Sequence, residues 1–111
     1  MDITFKTRKL AKIFNSEKEL QKKYGAPMMR RIATRLAVLR NARTLSMVPS
    51  TPPERLHPLR GKRKGQHAVD LVHPYRLILQ PNHEPLPCRK DGSLDTDQVT
   101  AITIIEVTDY H

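Results

Sequence analysis

The sequence predicts an α+β fold in which two helices pack on one face of an antiparallel-rich sheet, in the order β-α-α-β-β-β-β. Three observations carry this expectation. The run Val99–His111 (VTAITIIEVTDYH) is dominated by β-branched residues and follows a loop rich in Pro, Gly and Asp, which marks a strand. Met28, Ile32, Leu36 and Leu39 step by four, four and three, the spacing of one helical face. Val69 and Leu71, then Leu77 and Leu79, lie two apart on either side of a His73-Pro74 connection, the alternation of a one-sided hairpin.

Taken in order, residues 2–6 alternate Ile3 and Phe5 with polar neighbours and suit a short first strand. From Thr7 the period lengthens: Leu10, Ile13 and Phe14, then Leu20 and Tyr24, share a face up to Gly25. Residues 8–24 therefore read as helical, with Asn15 the point of interruption and Ser16-Glu17-Lys18-Glu19 spaced as a capping box. Pro27 is placed to open the second helix, where its missing N–H costs nothing. Arg30, Arg31, Arg35, Arg40 and Arg43 fill much of the remaining surface of that helix with no acid between them, which suggests a docking surface beside the plain reading of a solvated face. The segment SMVPSTPP, residues 46–53, has three prolines and can be neither helix nor central strand. Strands are expected over Arg55–Leu59, Gln66–Val72 and Tyr75–Gln80, with a basic turn, Gly61 to Gly65, between the first two. Residues 81–97 read as loop.

At 111 residues the chain is one domain, 1–111, with room for a single modest core. Lys and Arg number 20 against 11 Asp and Glu, leaving a net charge of +9 and a pI near 10.1. That excess favours a polyanionic partner, nucleic acid first. The lone Cys88 disfavours both a disulfide framework and a zinc site. Lys6, Arg8, Lys9 and Lys12 near the start are followed by no apolar signal region, and no apolar run is long enough to span a bilayer, so the chain reads as cytoplasmic with no membrane partner.

The histidines show no metal-binding spacing, and there is no nucleophile elbow and no phosphate-binding glycine loop, so neither a metal nor a cofactor is expected. What is left is acid–base chemistry on a phosphodiester. Cleaving RNA without a metal needs a base for the 2′-OH, an acid for the departing 5′-oxygen, and cations beside the phosphate. Asp109 and His111 lie two apart and share one face of a strand, where a carboxylate can fix the tautomer of an imidazole. Tyr110, between them, is a candidate to stack on a base or donate a proton. His57 is a second acid–base candidate, and Arg76 is shaped for bidentate phosphate contact. Lys62, Arg63 and Lys64 form a candidate contact to the RNA backbone. Each has a bland counterpart: a frayed polar end, an exposed strand residue, a sheet-surface arginine, a solvated hairpin tip.

The phrases RLHPLRGKRKGQ, AVDL, PYRLIL and IIEVTDYH, in that order, resemble the HigB (plasmid maintenance killer) branch of the RelE/ParE toxin superfamily over nearly the whole chain. The resemblance implies a RelE-like fold and a type II toxin that cleaves mRNA in the ribosomal A site. It also implies a helix-turn-helix antitoxin of HigA type as partner. By the same likeness His57 and Arg60 are the histidine and basic residue of the H-x-L-[KR]-G phrase, Arg76 is expected near the scissile phosphate, and Asp109, Tyr110 and His111 complete the site. RelE has lysines where this chain has Ala68 and Asp70, which argues against a lysine-based mechanism. The leading expectation is thus a metal-independent, ribosome-dependent endoribonuclease acting by 2′-OH attack. The alternatives are a non-enzymatic, ParE-like gyrase poison on the same scaffold, and a basic RNA-binding module without activity.

Overall fold

Two side-chain caps near the start of the chain decide its helical architecture. Thr7 Oγ1 accepts the Leu10 amide hydrogen at 3.1 Å and opens α1 (Arg8–Phe14), while Ser16 Oγ accepts the Glu19 amide hydrogen at 3.2 Å and opens α2 (Glu17–Tyr24). The computed structural model describes residues 1–109, so the expectations placed on Tyr110 and His111 lie outside the described residues. The stretch expected as one helix, 8–24, is therefore two, broken at Asn15-Ser16 because the second cap starts a new helix there. Gly25, at φ +85°, turns the chain through a conformation that side chains resist, and α3 (Ala26–Asn41) begins one residue before Pro27. The described residues hold three helices where two were expected.

The strands are β1 (Asp2–Phe5), β2 (His57–Pro58), β3 (His67–Asp70), β4 (Arg76–Pro81) and β5 (Ala101–Thr108). They form one sheet in the order β1-β5-β4-β3-β2, antiparallel except for the parallel β1–β5 pair. The expected strand Arg55–Leu59 shortens to two paired residues, because Arg55 adopts a left-handed φ of +49° that takes it out of the extended region. β4 runs one residue into the expected loop, taking in Pro81, and residues 82–97 are loop apart from a Cys88–Leu94 bridge and the start of a short turn at Thr96–Gln98. The loop is stitched to the start of β5: Asn82 N–H donates to Ala101 O at 2.9 Å, and His83 Nε2 accepts from the amides of Thr100 (3.0 Å) and Ala101 (3.3 Å).

One face of the sheet carries the main core. Val69, Leu77, Leu79, Ile102 and Ile104 meet Phe14 and Leu20 from the first two helices and Ile32, Leu36 and Leu39 from α3. The opposite face was expected to be solvated, and that expectation fails. Leu59, Ala68, Ile78 and Ile105 form a second, smaller buried cluster there. Ala68 and Ile78, paired with one another, lie there by alternation, and a register shift between β4 and β5 adds Ile105: Ile78 pairs with Glu106 but Leu79 pairs with Ile104, so Ile105 is an extra residue turned away from the helices. Burying side chains of this kind stabilises the fold by roughly 1.5–3 kcal/mol each.

Candidate functional site

The face away from the helices can be laid out from the register, since directly paired residues in an antiparallel sheet project to the same side. One row across it is Asp70–Arg76–Thr108, and the next is His57–Ala68–Ile78–Glu106. A third row includes Gln80 paired with Thr103, with Gln66 one step before β3 on the same face. Arg63 ties the rows together from the basic turn, donating to Gln66 Oε1 at 3.2 Å and to Glu106 Oε1 at 3.4 Å.

Asp70 is the hub of the first row. Arg55 Nε and Nη2 donate to its two carboxylate oxygens at 2.7 and 3.0 Å, a bidentate fork, and Arg76 Nε lies 3.6 Å from Oδ1. Burial pushes the Asp70 carboxyl up, but the hydrogen bonds and charge of Arg55, then the charges of Arg76 and His57, outweigh it and hold the group below its usual value. From beneath, Arg35 donates to the Asp70 carbonyl at 2.6 Å and to the Pro53 carbonyl at 3.0 Å, with Glu54 3.9 Å away. Arg35 is 2% exposed, and burial lowers its pKa before Glu54 partly restores it. The idea that all five arginines of the second predicted helix form a docking surface is corrected here. Arg35 is interior, whereas Arg30, Arg31, Arg40 and Arg43 are exposed.

Arg55 sets His57 as well. The Arg55 carbonyl lies 2.7 Å from His57 Nδ1, and because a carbonyl can only accept, Nδ1 carries the proton. The neutral imidazole is thereby fixed with Nε2 as its acceptor, the atom that gains or loses a proton in acid–base work. Arg55, Asp70 and Arg76, with His73 and the exposed Tyr75, line a cleft of about 250 Å³ at this end of the face. The arrangement offers a phosphate two guanidinium groups and, one row away, an imidazole of defined tautomer.

The other predicted residues divide. Asp109 is exposed and follows Thr108, the partner of Arg76, in the chain. Arg60 is exposed at the start of the basic turn, three positions beyond His57 and on the side away from Arg76. Lys62 and Lys64 are exposed in that turn, which Gly61 and Gly65 close at φ +63° and +93°. Arg63 is half-buried in its bonds to Gln66 and Glu106, so it is not part of a fully solvated tip. Sequence reasoning missed Arg55, whose part depends on a left-handed backbone and on a partner fifteen residues away. Among the described residues no group of three or more His, Cys, Asp or Glu side chains could hold a metal ion, and no helix is long and apolar enough to cross a membrane.

His67 contributes a pH dependence of its own. It is buried, its Nδ1 has no hydrogen-bond partner among the described residues, and burial, then the charge of His57, pushes its pKa down. The unfolded chain therefore binds a proton that the fold resists, so stability falls as pH drops below the unfolded value of about 6.5. The Asp70 contribution is lost only in a separate acid window, as pH falls below about 4. Thermal melts at pH 7.5 and 5.5 should show a fall for the native chain and a smaller one for His67→Leu; equal falls would remove His67 as the cause.

No family model matches the chain, and no curated protein matches it. Solved structures do. A YoeB/ParE toxin from Agrobacterium tumefaciens aligns over 100% of both chains with a TM-score of 0.59 at 14% identity. The YoeB-YefM complex from Staphylococcus aureus aligns over 100% of this chain and 97% of that one, with a TM-score of 0.56 at 15% identity. At such identities the likeness is one of fold: the chain has the mixed α+β architecture of these toxins.

Proposed function

We propose that this protein is the toxin of a type II toxin–antitoxin pair, of the HigB branch of the RelE/ParE superfamily. In this reading it is a ribosome-dependent endoribonuclease that cleaves mRNA without a metal and inhibits translation. The observation that carries the proposal is the tautomer-fixed His57 set one row from Arg55 and Arg76 on an open sheet face. The fold shared with a YoeB/ParE toxin supports it, as does the +9 charge.

The reaction follows from these groups. A base takes the 2′-OH proton, the O2′–P bond forms, the P–O5′ bond breaks, and an acid protonates the departing oxygen. The products are a 2′,3′-cyclic phosphate and a 5′-hydroxyl. His57 and His111 supply base and acid. Arg76, with Arg55 added from the geometry, stabilises the charge that grows on the equatorial oxygens, and Arg60, expected to share that role, holds the RNA further along the face. Asp109 orients, and Tyr110 stacks on or donates to the RNA. The partner is a helix-turn-helix antitoxin of HigA type; an antitoxin partner is supported by the fold shared with the YoeB-YefM complex. Primer extension on mRNA from induced cells should give codon-phased cuts that vanish in a folded His111→Ala variant. A His111→Ala protein as toxic as the native one would overturn the reading.

The exposed Arg30, Arg31 and Arg40 of α3, with Arg43 just beyond its end, favour a second reading, a ParE-like gyrase poison acting through that surface. It predicts DNA damage without mRNA cuts, and toxicity indifferent to His57 and His111.

A further inference from the structure

A second concavity lies at the other end of the same sheet face. Its volume is about 720 Å³, and its walls come from the basic turn (Lys64, Gly65, Gln66), the end of β4 (Gln80) and the 81–97 loop (Asn82 to Leu86, and Cys88). The loop is held in position there by the hydrogen bonds of Asn82 and His83 to the start of β5. Gln80 stands on the same face as Arg76, four residues along β4, which places it about 13 Å away at the rise of a strand. Between the two ends lies the apolar patch of Leu59, Ala68, Ile78 and Ile105.

The chemistry of the two ends differs. The cleft at Arg76 is a site for charge. In the far chamber Lys64 and Glu84 offset one another, leaving three side-chain amides, those of Gln66, Gln80 and Asn82, beside an apolar ledge of Pro85 and Leu86, the latter 49% exposed. A flat heterocycle edged with donors and acceptors fits such walls, since amides pair with base edges and the ledge takes a ring face. A phosphate or an acidic peptide does not. The two ends are separated by about the length of two nucleotides in an extended strand.

We propose that the 81–97 loop builds a second RNA subsite, in which Gln66, Gln80 and Asn82 hold the base of a nucleotide two positions from the phosphate at Arg76. The proposal rests on the endoribonuclease reading, and it gives the long loop the task of extending the footprint on the substrate.

The test uses the full chain and uncleavable 2′-O-methyl oligoribonucleotides of two and four nucleotides, titrated by NMR at low salt. The tetranucleotide is expected to bind at least tenfold more tightly than the dinucleotide and to shift the side-chain amide signals of Gln80 and Asn82, which the dinucleotide leaves in place. In a Gln80→Ala/Asn82→Ala variant that gain with length should collapse while dinucleotide binding persists. Both positions are exposed, so the variant keeps its fold, and an unchanged amide spectrum elsewhere verifies this. A gain with length that survives the double substitution, or amide signals that ignore the tetranucleotide, overturns the subsite alone. Failure of the native chain to bind either oligomer also overturns the subsite, whereas the ribosome-dependent endoribonuclease reading falls only if primer extension on mRNA from induced cells shows no cuts.

Discussion

His57→Ala is expected to lower RNA cleavage by about 10²–10⁴-fold, the usual worth of a positioned general acid or base, while the protein stays folded. The fold should tolerate the change because His57 sits half-buried on a two-residue edge strand. Its backbone pairing with Ala68 does not need the imidazole, and the side chain makes one hydrogen bond, to the Arg55 carbonyl, worth about 1 kcal/mol. Single-turnover cleavage against pH provides the check. The native profile should have two limbs and the variant should lose one of them, with a melting temperature within a few degrees of native. Cleavage within a few-fold of native would remove His57 from the chemistry.

Arg35→Met should have the largest effect on stability, about 3–5 kcal/mol, the usual cost of removing one partner from a buried charged network. The guanidinium joins α3 to two pieces of chain, through the carbonyl of Asp70 on one and the carbonyl of Pro53 and carboxylate of Glu54 on the other. Methionine fills much of the space but supplies no donor, leaving two carbonyls and a largely buried carboxylate without their partner. Urea unfolding should show the loss, and Glu54→Gln placed on top of Arg35→Met should restore part of it, because the stranded charge is then gone. A loss below about 1 kcal/mol would mean that the network does not hold the fold. The effect should also reach the cleft, since Asp70 is positioned through the carbonyl that Arg35 grips.

What could be read in advance follows from how local each signal is. The β-branched run before Asp109 announces β5 without help from elsewhere, and the caps at Thr7 and Ser16 are within reach of their targets in sequence. The extra cap is legible in the spacing of Ser16 and Glu19, and it ends one helix and begins another. Arg35 lies three residues after Ile32 and four before Leu39, on the buried stripe itself, and its charge disguises the position. Ile105 could not be placed, because alternation along β5 assigns faces only until a bulge resets them, and the bulge exists only in the pairing with β4. Arg55 was hidden for a similar reason. Its fork on Asp70 joins positions on opposite sides of the basic turn, and nothing in the letters marks a left-handed arginine. Of the candidate site, His57 and Arg76 were singled out in the sequence, whereas Arg55 and Arg35, which bond to the groups around them, carry no local mark of those bonds.

The parallel pairing of β1 with β5 has a kinetic consequence. Asp2 is in register with Ala101, so the sheet closes a loop of nearly the whole described chain, and β5 lies between β1 and β4. Contacts that distant are entropically costly to nucleate and slow a fold in proportion to their share. The three helices, built from neighbours in sequence, can form early, but the row Asp70–Arg76–Thr108 is complete only once β5 has docked. The row that carries Arg76 is therefore completed by a strand whose other neighbour lies at the opposite end of the sequence.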